Sequence, residues 1–327
     1  MRILVTGASG FIGGHFAKAA LAAGYRVRIN ARRAESVAAL VAAGAECVQG
    51  DLADAALASE LCRDVEVVVH CAGAVGAWGS YAFFHHGNVL LTQNIVAACL
   101  AQKVRRLVHL SSPSIYFDGQ AHIGITEDWL PARFANAYGQ TKYEAEQCVM
   151  AAAQAGLEVL ALRPRFVTGA GDNSIFPRLI AMQQAGRLAI LGAGNNQVDF
   201  THVHNLNQAL LSALSAGPQA LGKAYNISNG QPLPLWDVIN YVLKTLDFPP
   251  VTKRLPYALA YGAACVNEAR HKLWAHSAEP KLTRLSVAVM AKDFSLNIDR
   301  ARQALQYHPN ASVWDALDEF CQSWRGA

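Results

Sequence analysis

The sequence predicts an α/β chain: a doubly wound parallel sheet followed by a smaller, less regular lobe. Three observations predict it. Short apolar runs rich in β-branched residues recur through the first 170 residues, each separated from the next by a helical pattern. A glycine-rich turn joins the first run to the first helix, and after about Gly171 the alternation gives way to long polar turns. Short apolar strands spaced by helices are buried on both faces of a parallel sheet.

Taken in order, Arg2–Thr6 is the first strand, and an alanine-rich helix follows it to about Gly24. Arg26–Asn30 is the second strand, a helix runs to about Ala43, and Glu46–Gln49 is the third strand. Glu66–His70, Leu107–Leu110 and Val159–Leu162 repeat the pattern. Beyond Gly171, polar turns from Gly192 to Gln197 and from Ser228 to Pro234 replace it, with Pro249-Pro250 after them. Asp199–Val203 and Ala224–Ile227 read as strands that return to the main sheet.

Composition narrows the class. Of 327 residues, 52% are apolar and 16% charged, which is ample for a large core and excludes a solvated, disordered chain. No apolar run reaches the ~18–20 residues of a membrane span; the longest candidate, Leu255–Val266, is closed by Asn267 and Glu268. Arg2 followed so soon by Gly7 is not a signal peptide. Net charge is +4, but the basic residues occur only as short pairs, so nucleic acid is not expected as a partner. Seven cysteines without a C-x-x-C pairing argue against zinc and disulfide frameworks and for a reducing, cytoplasmic setting.

Thr6-Gly7-Ala8-Ser9-Gly10-Phe11-Ile12-Gly13 lies between the first strand and the first helix. Glycine there permits a tight turn, close approach of backbone to a pyrophosphate, and close helix–strand packing. The phosphates would sit on the free N–H groups of the helix N-terminus. The spacing is G-x-x-G-x-x-G rather than G-x-G-x-x-G, so context carries the reading. An acid near the end of the second strand would bind the ribose hydroxyls of NAD; Ala31 stands there, followed by Arg32 and Arg33. Two guanidiniums could clamp a 2′-phosphate, so NADP(H) is expected as the preferred cofactor, with NAD(H) possible. The competing explanation is that both arginines open a solvated helix. Asp51 and Leu52 follow the third strand and Ala72 the fourth, at the carboxyl edge where open sheets bind ligands. Asp51 is placed to accept from the adenine amino group, and a helix cap before Ala53–Leu61 is equally compatible. Residues 1–170 thus form a cofactor-binding unit, and 171–327 mainly a substrate lobe.

Tyr138 and Lys142 are four residues apart at the start of a helix that Gly156 closes, so they share one face. An ammonium beside a phenol favours the phenolate and lowers its pKa, making the tyrosine a general acid or base. Ser111, Ser112 and Ser114 follow the fifth strand and emerge at the same edge. One of them could hold a substrate oxygen with Tyr138, or they could simply cap a turn.

These motifs resemble the extended short-chain dehydrogenase/reductases, and the likeness spans essentially the whole chain: TGASGFIG, GDL at Gly50, Asn88-Val89, SSPSIY, YGQTK, Arg163-Pro164 and DFTHVHN occur in order. Within that family the 3β-hydroxysteroid dehydrogenase-like branch, which includes bacterial reductases of 2-alkyl-3-oxoalkanoates, is most similar. The likeness lies in Ala77–Tyr81, in Tyr225–Gly230 through Trp236, and in Glu279–Ser286. The resemblance implies a Rossmann-type domain in which Tyr138 is the acid/base, Lys142 binds the nicotinamide ribose and Ser112 orients the carbonyl. Gly7, Gly10, Phe11, Ile12, Gly13, Pro164 and Val167 would line the cofactor, Asn88 would position a helix, and the chain would be a homodimer. Sugar-nucleotide enzymes of the superfamily usually carry Asn where Phe166 stands and Arg where Val198 stands, and the dehydratase acid pair is replaced by Pro113 and Ser114. Losing those anchors while adding Trp78, Tyr81, Phe83 and Phe84 implies an apolar small-molecule substrate lined by Trp78, Tyr81, Phe84, Ser114 and Phe166; ordinary core packing is the competing explanation. His85-His86 lacks partners at metal spacing, and no metal is expected. The expected reaction is hydride transfer between NADP(H) and a ketone/secondary alcohol on a β-keto acid or steroid-like substrate. The alternatives are a sugar-nucleotide epimerase or dehydratase, or a non-catalytic cofactor sensor.

Overall fold

The structure is a computed structural model that describes residues 1–273, 280 and 282–326. Glu279 and Lys281, part of the Glu279–Ser286 likeness, lie outside the described residues. Seven strands form one sheet: β1 (Arg2–Thr6), β2 (Arg26–Ala31), β3 (Glu46–Gln49), β4 (Val67–His70), β5 (Arg106–Leu110), β6 (Glu158–Pro164) and β7 (Lys223–Ile227). Their order is β7-β6-β5-β4-β1-β2-β3, and every adjacent pair runs parallel. The winding reverses between β1 and β4, which opens a crevice at the carboxyl ends of those strands.

Strand periodicity sorts the core. Ile3 and Val5 face one side of the sheet with helices α1 (Phe11–Ala22) and, later in the chain, Val203–Ser215. Leu4 faces the other side with α2 (Ala55–Leu61), α3 (Leu91–Ala101) and α4 (Ala137–Ala151). The Tyr138 helix ends as expected: α4 passes into a 3₁₀ turn, Ala152–Ala155, and Gly156 stops it in the left-handed region at φ 86°.

Ala224–Ile227 joins the sheet as part of β7, whereas Asp199–Val203 does not. Thr201–His202 pairs instead with Val167–Thr168 in a separate two-stranded ribbon. The reason lies two residues earlier, where Asp199 is drawn to a second sheet: its N–H donates to Phe294 O at 3.2 Å and its Oδ2 accepts from Leu296 N–H at 2.6 Å. That four-stranded sheet orders Leu233–Pro234, Gln197–Val198, Phe294–Leu296 and His122–Ile125. A second core, around Phe176, Val198, Phe200, Trp236 and Phe320, fills the C-terminal half. The helix expected from Ala53 starts at Ala55 and is capped by Asp54, not Asp51. The Leu255–Val266 run enters a helix, Tyr257–Leu273, that buries Ala260 and Ala264 and exposes Leu259 and Val266. Among the described residues, no helix is long and apolar enough to cross a membrane.

A buried ion pair locks α4 to the sheet. Arg163 on β6 donates from Nε to Glu146 Oε2 at 2.8 Å and from Nη2 to Glu146 Oε1, and its Nη1 reaches the Tyr116 hydroxyl and Glu127 O. Glu146 lies one turn beyond Lys142, so the pair fixes the helix face that carries the candidate residues. Removing one member leaves an uncompensated buried charge. Glu146→Ala is therefore expected to lower the unfolding free energy, read from urea titration, by about 3–5 kcal/mol.

Candidate active site

The glycine turn is shaped by contact. Gly7 adopts φ +68°, and a Cβ there would lie 2.7 Å from Ala72 N; a Cβ on Gly13 would lie 2.3 Å from Gly7 O. Side chains at either position would fill the groove between β1, α1 and the loop after β4. Gly10 caps α1 without a side chain, so the first N–H groups of the helix, at Phe11, Ile12 and Gly13, keep no intrahelical acceptor. This cradle at a helix N-terminus fits a dinucleotide pyrophosphate. Ala72 closes its far wall, with its N–H donating to Thr6 Oγ1 at 3.2 Å.

The loops after β2 and β3 form the next wall. Arg32 and Arg33 are exposed just past Ala31, and among the described residues no acid is paired with either guanidinium. Asn30 donates to Val48 O and Gly50 O, and Asn94 donates to Leu52 O and Ala53 O, pinning the loop that carries Asp51 and buried Leu52. Asp51 is exposed and spends one oxygen on Ala53 N–H at 2.9 Å.

Tyr138, Ser112 and Ser114 meet at the end of β5. Ser112 caps the 3₁₀ turn Pro113–Tyr116 by accepting from Ser114 N–H at 3.2 Å, the turn-capping role that the serine cluster offers. Burial raises the pKa of the Tyr138 phenol, while the Ser112 and Ser114 hydroxyls facing it pull in the other direction. The lowering expected from Lys142 is not found. Lys142 is buried and gives a hydrogen bond to Leu110 O at 2.7 Å, where burial brings its own pKa down to about 8, opposed by Glu146 and Cys71. Pro164 and Val167 follow at the end of β6 and in the ribbon beside it, both buried.

Sequence reasoning did not find the polar chain that joins these walls. Thr92 Oγ1 donates to Asn88 O at 2.6 Å, so it accepts from His70 Nε2 at 3.1 Å, and His70 Nδ1 in turn accepts from Thr6 Oγ1 at 2.7 Å. Burial keeps His70 neutral, with its pKa brought down to about 3. Asn88 accepts from Ala74 N–H and donates to Thr141 Oγ1, which donates to Tyr138 O. Asn88 sits in a π-helical turn, His85–Leu90, ahead of α3. A histidine ending an otherwise apolar strand was the available signal for this chain.

The candidate substrate residues divide. Phe84 is buried, with its ring 5.6 Å from that of Tyr138. Trp78 is half-buried. Tyr81 is exposed, and its hydroxyl donates to Glu144 on the outer face of α4. Phe166 is half-buried with φ +38°, a left-handed conformation costly for an aromatic residue. Val198 is fully buried in the second core. His202 and His204 come within 3.6 and 3.7 Å of Glu319 Oε1. His202 Nδ1 accepts from His204 N–H, so the neutral ring carries its proton on Nε2 and offers Glu319 a donor, not a metal a lone pair.

A parallel sheet with a glycine cradle at its switch point and a Tyr/Lys/Ser group at the same edge defines an NAD(P)-dependent oxidoreductase of CH–OH groups. The model of the NAD dependent epimerase/dehydratase family matches residues 3–228, and the chain belongs to that family, the extended short-chain dehydrogenase/reductases. It is 35% identical over 323 residues to a 2-alkyl-3-oxoalkanoate reductase of Stenotrophomonas maltophilia, covering 97% of each chain. It is 29% identical over 336 residues to the human sterol-4-alpha-carboxylate 3-dehydrogenase, decarboxylating, covering 99% of this chain and 88% of that one. Among solved structures, UDP-glucuronic acid 4-epimerase from Bacillus cereus in complex with NAD shares the fold at a TM-score of 0.79 and 24% identity, over 100% of this chain and 99% of that one.

Lys142 yields its proton near pH 8 in the folded chain against an ordinary 10.5, so between those values the unfolded chain binds the extra proton and stability rises with pH. Lys142→Met removes that contribution. In urea titrations its stability relative to the parent is expected to be flat below pH 8 and to fall steadily from pH 8 to about 10.5.

Proposed function

We propose that the chain is an NADP(H)-dependent oxidoreductase that interconverts a ketone and a secondary alcohol on an apolar substrate, a β-oxo acid in the first instance and a steroid-like ring in the second. The observation that carries this is the convergence of Tyr138, Ser112 and Lys142 on one sheet edge, beside the glycine cradle. The bound nicotinamide supplies the hydride in reduction and accepts it in oxidation. Tyr138, whose phenol burial holds above its ordinary value, gives its proton to the substrate oxygen as negative charge develops there. Ser112 Oγ accepts from Ser114 N–H, and its own proton, which faces the Tyr138 phenol, can turn to hold that oxygen. Lys142, fixed on Leu110 O, keeps two further N–H groups for the ribose hydroxyls.

Several features favour the apolar substrate. Phe166 occupies, at a backbone cost, the position where sugar-nucleotide enzymes carry Asn, a residue that tolerates positive φ well. Phe84 packs on Tyr138, and exposed Val75 and Phe83 border the same loop. The names of the two relatives place a carboxylate on the carbon next to the reacting one. Ala31 with Arg32 and Arg33 favours the 2′-phosphate of NADP(H). The first 170 residues act as the cofactor unit and the second core as a substrate lobe. Seven free cysteines fit a cytoplasmic enzyme, and a homodimer is the expected assembly.

The alternative, a sugar-nucleotide epimerase or dehydratase, needs a grip on a diphosphate that buried Val198 and half-buried Phe166 do not offer. Isothermal titration with a panel of nucleotide-diphosphate sugars is expected to give no binding heat; micromolar binding would favour the alternative. Tyr138→Phe is expected to lower NADPH-dependent ketone reduction by at least about 100-fold while NADPH binding, read by fluorescence, is kept. Replacing Arg32 and Arg33 together with Ser should raise the KM for NADPH by about 10- to 100-fold and leave that for NADH within about threefold.

A further inference from the structure

Arg165 leaves the sheet alongside the serine turn. It follows Pro164 at the end of β6, while the neighbouring β5, in register at Leu110 and Leu162, continues into Ser111, whose N–H donates to Leu162 O at 2.8 Å. Continued past Leu110 and Leu162, that register sets Ser112 opposite Pro164 on a strand about 4.8 Å away, so Arg165 emerges at the carboxyl edge one residue beyond the serine's partner. The backbone of Arg165 is fixed on both sides: its N–H donates to Ile227 O at 3.0 Å, and its carbonyl accepts from Thr201 Oγ1.

The side chain is 7% exposed, and its guanidinium carbon lies 3.7 Å from the centroid of the Phe166 ring and 4.4 Å from that of Phe294. Nε and Nη2 are both buried without an acceptor. Asp199 is the anion that acts on it, yet that carboxylate gives Oδ2 to Leu296 N–H and leaves Oδ1 buried without a donor, so the two groups form no closed ion pair. Ser111 Oγ, on the adjacent strand, is also buried and unpartnered. Buried donors are almost always satisfied, and a guanidinium even more so. Burial against so little counter-charge brings the Arg165 pKa down to about 9. Two aromatic rings flank the guanidinium, and Nε and Nη2 keep no acceptor, a deficit that a planar carboxylate would satisfy.

We propose that Arg165 binds the carboxylate of the substrate and makes the enzyme selective for apolar 3-oxo or 3-hydroxy acids over neutral ketones and alcohols of the same chain. In such an acid the carboxyl carbon is two bonds from the reacting carbon, so its binding group must stand beside the residue that holds the reacting oxygen. Arg165, the residue after the Pro164 that stands opposite Ser112, meets that requirement. This inference rests on the oxidoreductase reading above.

The test runs in the oxidative direction, because 3-oxo acids lose carbon dioxide in solution. The full-length protein, with NADP⁺ or NAD⁺, is assayed on a 2-alkyl-3-hydroxyalkanoic acid and on its methyl ester. The parent is expected to prefer the acid at least tenfold in kcat/KM. Arg165→Gln should lower kcat/KM for the acid by about 10- to 100-fold, chiefly through KM, and change that for the ester less than threefold. Arg165→Lys, which keeps the charge, should fall between. Equal losses on acid and ester in a folded variant would mark a structural arginine and overturn the inference. A parent enzyme that takes the ester as readily as the acid overturns it without any variant. If the parent turns over neither compound, and no ketone with NADPH, the oxidoreductase reading itself fails and takes this inference with it; turnover of neutral ketones alone refutes only the role of Arg165.

Discussion

A buried run of hydrogen bonds holds the candidate site together. It passes from Ala72 N–H through Thr6, His70 and Thr92 to the Asn88 backbone, and from the Asn88 side chain through Thr141 to Tyr138 O. The side chains of Thr6, His70, Asn88, Thr92 and Thr141 in this run are all buried, so leaving any one unpaired would cost about 1–3 kcal/mol. The directions are also determined. Thr92 must give its proton to Asn88 O, which makes His70 a donor at Nε2 and an acceptor at Nδ1, and Thr6 can then receive Ala72 N–H. The glycine cradle, the loop after β4 and the Tyr138 helix are thus bound to one another through a single neutral histidine.

The surrounding structure keeps that arrangement rigid. The parallel sheet sends every carboxyl-end loop to one edge, and the reversal between β1 and β4 makes room there for a ligand. The Arg163–Glu146 pair fixes α4 against β6 from below, so the Tyr138–Lys142 face cannot rotate without breaking a buried charge pair. At the edge itself the structure forgoes stability. Phe166 holds a positive φ, Arg165 and Asp199 keep buried polar atoms unpartnered, and Lys142 carries a charge in a site that disfavours it. Local costs of this kind concentrate where a ligand binds and are offset by a well-packed core elsewhere.

Much of this was legible in the sequence, and for physical reasons. Strand runs such as Arg2–Thr6 and Val67–His70 alternate two buried faces, a pattern carried by the residues alone. The glycine spacing could be read because Gly7 and Gly13 sit where any Cβ would collide with backbone. Tyr138 and Lys142 are neighbours through helix geometry, which needs no tertiary information. Asp199–Val203 was misplaced because an apolar stretch does not say which of two sheets will take it; the hydrogen bonds to Phe294 and Leu296 come from residues about a hundred positions away.

The sequence by itself determined the parallel sheet, the family, the glycine cradle and the identity of the Tyr/Lys/Ser group, because each rests on local periodicity or fixed spacing. Only the tertiary structure decided the environment of those groups. It raised the Tyr138 phenol by burial where the neighbouring lysine alone implied a lowering, it sent Lys142 to Leu110 O, and it turned Tyr81 to the outer face of α4. It also brought Arg165 between two phenylalanines and left two of its guanidinium nitrogens, Nε and Nη2, without an acceptor. Burial and hydrogen-bond direction depend on what other parts of the chain place around a side chain, and no spacing rule encodes that.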